Sequence, residues 1–144
     1  MNGVHMTARE ELNAILKTDR LINVLLDEQA RLSYTLTRSK SVAKPERNVK
    51  SEDAATAIAR IVDLDRSIDA HVDMLVRQKK EAYEIVKKIP NPDMQSVLLL
   101  RYFQGKTWRQ IATSMDYSIR SAQRIHGNAL KKYALSQKLA HFGA

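Results

Sequence analysis

Arg120, Gln123 and Arg124 stand three and four residues apart, so a helix would present them on one face. Those side chains suit one chemistry above others. Arginine donates a fork of two hydrogen bonds to guanine, and glutamine pairs in the same two-point way with adenine. Ser118 and Ile119 precede them at the expected start of that helix. Lys106, Thr107 and Lys132 lie near them in the sequence, with donors that suit phosphate oxygens. Phosphate contacts of that kind fix position on a duplex but read no sequence.

Other chemistry finds poor support. His5, His71, His126 and His141 show no HxxxH or His–acid spacing that would hold a metal. Asp65, Asp69 and Asp73 recur at four-residue steps, a geometry able to hold a cation. Arg66 and Arg77 nearby point instead to a solvated, ion-paired face. Cysteine is absent, which excludes a disulfide framework, thiol catalysis and Cys-based zinc. Gly105 and Gly127 are isolated, so no phosphate-cradling loop is present; Gly105 sits where a helix C-cap belongs. Gly127 falls mid-helix, where it weakens the helix, and close packing against a neighbour is expected there. His71 is expected to meet Asp19 as a buried polar pair. Tyr102 and Phe103 read as core, whereas Trp108 stays open between core and base stacking. The chain reads as a binding protein, with no enzymatic, metal or cofactor site.

The elements that would position the reading set lie within residues 97–133. Thr107 and Gln110 have capping-box spacing, and Trp108, Ile111, Ala112 and Met115 follow at helical intervals. Asp116-Tyr117 makes a turn, Asp tolerating left-handed backbone, and Ser118 can cap the next helix. Its buried stripe would be Ile119, Ala122, Ile125 or His126, and Ala129-Leu130. Two short helices joined tightly in this way form a helix-turn-helix. The charge agrees: residues 94–144 hold eight cations against Asp116 alone, so they carry +7 of the chain's +8. A pI near 9.8 concentrated in one third of a chain is a footprint for a polyanion.

Ahead of that unit two long helical segments are expected. The first opens with Thr7 and Glu10 in capping-box spacing and carries Leu12, Ile15, Leu16, Ile22, Leu25, Leu26, Leu32 and Leu36, interrupted by Asp19 and Gln29. A connection at 39–51, containing Pro45, separates it from the second. There Ile58, Ile61, Asp65, Ile68, Val72, Leu75, Lys79, Ala82, Val86 and Ile89 alternate steps of three and four, with Asp65 and Lys79 as polar breaks able to fix register. Pro90-Asn91-Pro92 ends the helix. An antiparallel hairpin within one chain and dimerisation through the same stripes are both open. The predicted organisation is therefore all-α: a hairpin or coiled coil over 7–89, a helix-turn-helix domain over 90–135, and a tail at 136–144. Residues 1–5 read as an added leader or alternative start and are set aside. No apolar run approaches the ~20 residues of a membrane span, and no secretory core is apparent.

The run LRYFQGKTWRQIATSMDYSIRSAQRIHGNALKK resembles the C-terminal, promoter-reading helix-turn-helix of bacterial sigma factors. The wider arrangement is similar to ArpU-like transcriptional regulators of phages and prophages of Gram-positive bacteria. That similarity extends to residues 47–49 and to the helix over 61–75. The resemblance implies base contact from Ser118, Ile119, Arg120, Gln123 and Arg124, with Arg109 and Lys131 near phosphates. Asp116 stands where sigma factors usually have glycine, and no promoter-melting region is present, so a complete sigma factor is excluded. The expected function is sequence-specific binding of double-stranded DNA by a homodimer in the bacterial cytoplasm, on nucleoid DNA, regulating phage or prophage transcription. A small terminase subunit and a sigma-like protein that binds host RNA polymerase are the alternative readings.

Overall fold

Local capping explains where most helices begin. A computed structural model describes residues 6–41 and 51–142. Its elements are α1 (Ala8–Ser41), α2 (Ser51–Val86), α3 (Pro92–Leu98), a π turn (Leu99–Phe103), α4 (Trp108–Met115) and α5 (Ile119–Phe142). All regular structure among the described residues is helical. Thr7 and Glu10 form the expected capping box: the Glu10 amide donates to Thr7 Oγ1, and the Thr7 amide donates to Glu10 Oε2, each at 3.2 Å. Among the described residues no helix is long and apolar enough to cross a membrane.

The chain divides into two compact units, Met1–Lys17 with Leu75–Ala144, and Thr18–Met74. This division does not fall at the Pro90-Asn91-Pro92 boundary. It cuts both long helices, because the first turns of α1 and the last turns of α2 pack into the core beneath α3, α4 and α5. That core contains Leu12, Ile15, Ala82, Val86, Ile89, Val97, Leu98, Ile111, Ala122, Ala129 and Tyr133. The segment 136–142, expected as a tail, is the continuation of α5. Gln137 is buried there and donates to the Met6 carbonyl at 3.1 Å and to Glu11. The Tyr133 hydroxyl donates to the other oxygen of Glu11 at 2.7 Å.

In the second unit the two helical segments pair in opposite directions. Gln29 Nε2 donates to Asp65 Oδ1 and to the Ile61 carbonyl, both at 3.2 Å, while Thr18 lies against Met74. Two residues read as interruptions of their stripes thus meet each other. The inward face of α2 differs from the expected seam by one flank. Ile61, Ile68 and Leu75 turn inward, but Ala57, Leu64 and His71 accompany them, whereas Ile58 and Val72 are 48% and 40% exposed. Apolar residues occupy both flanks of this helix, so periodicity locates the centre of the stripe without choosing a side. His71 does not pair with Asp19; its Nδ1 lies 2.7 Å from the Ser67 carbonyl of its own helix. Asp65, Asp69 and Asp73 are exposed. Among the described residues no group of His, Asp and Glu is placed to hold a metal ion. Pro45 and residues 47–49 lie outside the described residues, and α1 continues to Ser41, past the expected start of the connection.

Because the core under α5 takes residues from the start of α1 and the end of α2, a fragment of residues 90–144 should lose cooperative melting by circular dichroism. In the whole chain, Leu12→Ala should cost about 2–5 kcal/mol in urea unfolding, the range for a fully buried leucine. A fragment melting as sharply as the whole chain would show that α3 to α5 need no contribution from α1 and α2.

Candidate nucleic-acid interface

α3 begins at Asn91, whose Oδ1 accepts from the amides of Asp93 (2.9 Å) and Met94 (3.1 Å), with Pro92 occupying the first helical position. Gln95 reaches back to the Ile89 carbonyl at 2.6 Å, fixing how the chain leaves α2. After Leu98 the helix widens into a π turn, the Gln104 amide bonding to the Leu99 carbonyl at 3.0 Å. Gly105 then takes φ +65°, the left-handed backbone expected of a glycine ending a helix.

α4 opens with the anticipated capping box. The Gln110 amide donates to Thr107 Oγ1 at 3.2 Å, and the Thr107 amide donates to Gln110 Oε1 at 2.9 Å. The helix ends at Asp116, in the left-handed region at φ 60°, ψ 43°. The Tyr117 amide bonds to the Ala112 carbonyl at 2.9 Å and the Asp116 amide to that of Thr113 at 3.3 Å. This is the double bond pattern of a Schellman ending, built on aspartate instead of glycine. Ser118 caps α5, its Oγ accepting from the Ser121 amide at 3.1 Å. The turn is held from outside as well: the Tyr117 hydroxyl donates to Asp93 Oδ2 at 2.5 Å. Nothing local in the sequence signals that pair, since its members are 24 residues apart.

The expected reading residues emerge on the surface at the start of α5. Ile119, Arg120, Gln123 and Arg124 are exposed, and among the described residues no hydrogen bond or ion pair holds their side-chain heads. Ser118 is exposed too, but its hydroxyl is committed to the cap and to Ser121 Oγ. Ile119, placed by periodicity on the buried stripe, is 43% exposed instead. The structure brings Lys131 onto the face of Arg124 and Arg120 by helical spacing, while Lys132 lies about 100° further round. Arg109 is exposed on α4, Thr107 is exposed but spent on capping, and Lys106 is half-buried.

Beneath this face is an aromatic layer that the sequence left unresolved. Trp108 is half-buried, edge-on to His126 at 4.8 Å between centroids, with the Arg101 guanidinium 4.8 Å above its ring. Arg101 also donates to the Lys106 carbonyl at 3.1 Å. Trp108 is thereby committed to packing and a cation–π contact. His126 is buried, its Nε2 2.7 Å from the Tyr102 hydroxyl. Burial, reinforced by Arg9 and Arg101, pushes His126 down to about 4. Burial likewise raises the Tyr102 hydroxyl. The imidazole is thus neutral and the phenol protonated, and the hydrogen bond joins two uncharged groups. Gly127, next along α5, has no neighbour within 4 Å of an added Cβ, so the expected close packing there does not occur.

The depressed His126 has a defined consequence for stability. The unfolded histidine, with pKa near 6.5, takes up a proton that the folded one refuses until about 4. The His126 contribution is complete above pH 6.5 and declines as pH falls towards 4, by up to ~1.4 kcal/mol per pH unit. His126→Gln removes the titration, so the stability gap between wild type and variant should shrink between pH 7 and pH 5 in denaturant unfolding. A gap independent of pH would show that His126 is not kept neutral by the fold.

Compared with protein families, with curated proteins and with solved structures, the chain matches none of them.

Proposed function

We propose that α4, the Asp116 turn and α5 form a sigma-like helix-turn-helix that binds double-stranded DNA. The observation that carries this reading is the face of α5. Arg120, Gln123 and Arg124 project without partners among the described residues, from the first turns of a helix whose opposite side is anchored in a core. Their donors match guanine and adenine edges in the major groove. Arg109 and Lys131 flank them and suit phosphates. The resemblance to sigma factors and ArpU-like regulators supports regulation of phage or prophage transcription in a bacterial cytoplasm, with host RNA polymerase as a further partner.

A homodimer is the assembly favoured by the second unit. Among its described residues only Thr18, Ile22 and Ile68 are buried. Val24, Ile58, Val62 and Val72 remain on the surface, leaving apolar area for a second hairpin to cover. Two readers on one assembly would double the sequence read.

Converting Arg120, Gln123 and Arg124 together to Ala should abolish preference for a site selected from random DNA, while helical content stays unchanged. Each good base pairing lost costs ~1–3 kcal/mol. A triple variant that keeps the original preference would move the reading face elsewhere.

Light scattering combined with footprinting and run-off transcription tests the regulator reading. The expected result is a dimer protecting a short site at a promoter. A closed ring of many subunits favours the terminase reading, and polymerase binding without protected DNA favours the sigma-like partner.

A further inference from the structure

Nothing inside the fold explains the glycine at position 127. It lies within α5, Ile119–Phe142, where glycine weakens a helix relative to alanine. Gly105 needs its left-handed backbone, at φ +65°, but Gly127 stays outside that region. Tight packing is excluded too, because a Cβ added at 127 meets no atom within 4 Å. The open space has a definite position. Gly127 follows Gln123 by four residues and Arg124 by three, and precedes Lys131 by four, so it shares their face.

Distance along the helix gives that position a meaning. At about 1.5 Å per residue, Gly127 lies roughly 12 Å along α5 from Ile119, two turns beyond the first of the base-reading positions. A helix that enters the groove by its first turns leaves its later turns beside the sugar–phosphate strands that edge the groove. Glycine is the residue that lets a ligand approach helix backbone without a side chain between.

We infer that Gly127 is the crossing point of the DNA backbone over α5, with Lys131, one turn further on, neutralising a phosphate beside it. The inference rests on the DNA-binding reading above. It assigns to Gly127 a binding role that outweighs its cost to the helix.

The test compares wild type with Gly127→Ala, Gly127→Leu and Asn128→Ala, using a short labelled duplex of mixed sequence at several salt concentrations. Asn128 is exposed one residue further on, about 100° round the helix, and serves as the control for helix stiffening. Gly127→Ala should raise the melting temperature yet weaken binding about tenfold, the size of one good contact. The added side chain should also make the salt dependence shallower by about one phosphate contact. Gly127→Leu should weaken binding further, and Asn128→Ala should stabilise the helix and leave binding unchanged. Gly127→Ala binding as tightly as wild type overturns the inference alone, as does an equal loss in Asn128→Ala. A wild-type chain that leaves the duplex free removes the DNA reading itself, and this inference with it.

Discussion

Burial of one side of α5 governs what its other side can do. Ala122, His126, Ala129 and Tyr133 recur on the inner face and are covered by α1, α2, α3 and α4. A helix has a fixed angular period, so anchoring these positions leaves Arg120, Gln123, Arg124 and Lys131 no choice but to face outward. Small residues at 122 and 129 let the neighbouring helices approach closely. His126 fills the space between them and takes the Tyr102 hydroxyl, which spares both polar groups the cost of unpaired burial.

Glu11 plays the corresponding part at the far end of α5. Its two oxygens accept from Tyr133 and Gln137, and Gln137 also holds the Met6 carbonyl. A carboxylate with both oxygens bonded is well satisfied away from water. Burial raises the Tyr133 hydroxyl, with Glu11 adding to the effect, so the phenol remains a donor. The first turn of α1 therefore belongs to the same structural unit as α5, although more than a hundred residues separate them in sequence. That is why the compact unit ends inside the long helices and not at the prolines.

What was legible in the sequence was local. The capping boxes at Thr7 and Thr107, the left-handed Asp116 and the cap at Ser118 each depend on residues within a few positions of one another. An all-helical chain followed from long apolar stripes with few glycines and prolines. Contacts between distant segments left no such mark. The Tyr102–His126 and Tyr117–Asp93 pairs, and the role of Glu11, depend on how helices pack. The inward flank of α2 was hidden because Ile58 and Val72 are as apolar as the residues that displaced them. Among the site residues, exposure of Arg120, Gln123 and Arg124 followed from periodicity, whereas Ile119 shows that the first residue of a helix need not join its stripe.

The distribution of ion pairs sharpens the electrostatic argument. Side-chain salt bridges join Arg31 to Asp27 and Lys87 to Glu84, both outside the face of α5. Residues 94–144 contain eight cations and a single acid, Asp116. Crowded like charges disfavour the compact state unless counterions or a ligand neutralise them. His126, buried on the inner side of α5, is held neutral and adds no charge to that surface. Among the described residues of this segment no ion pair relieves that repulsion, so counterions that neutralise the surface would also stabilise the fold.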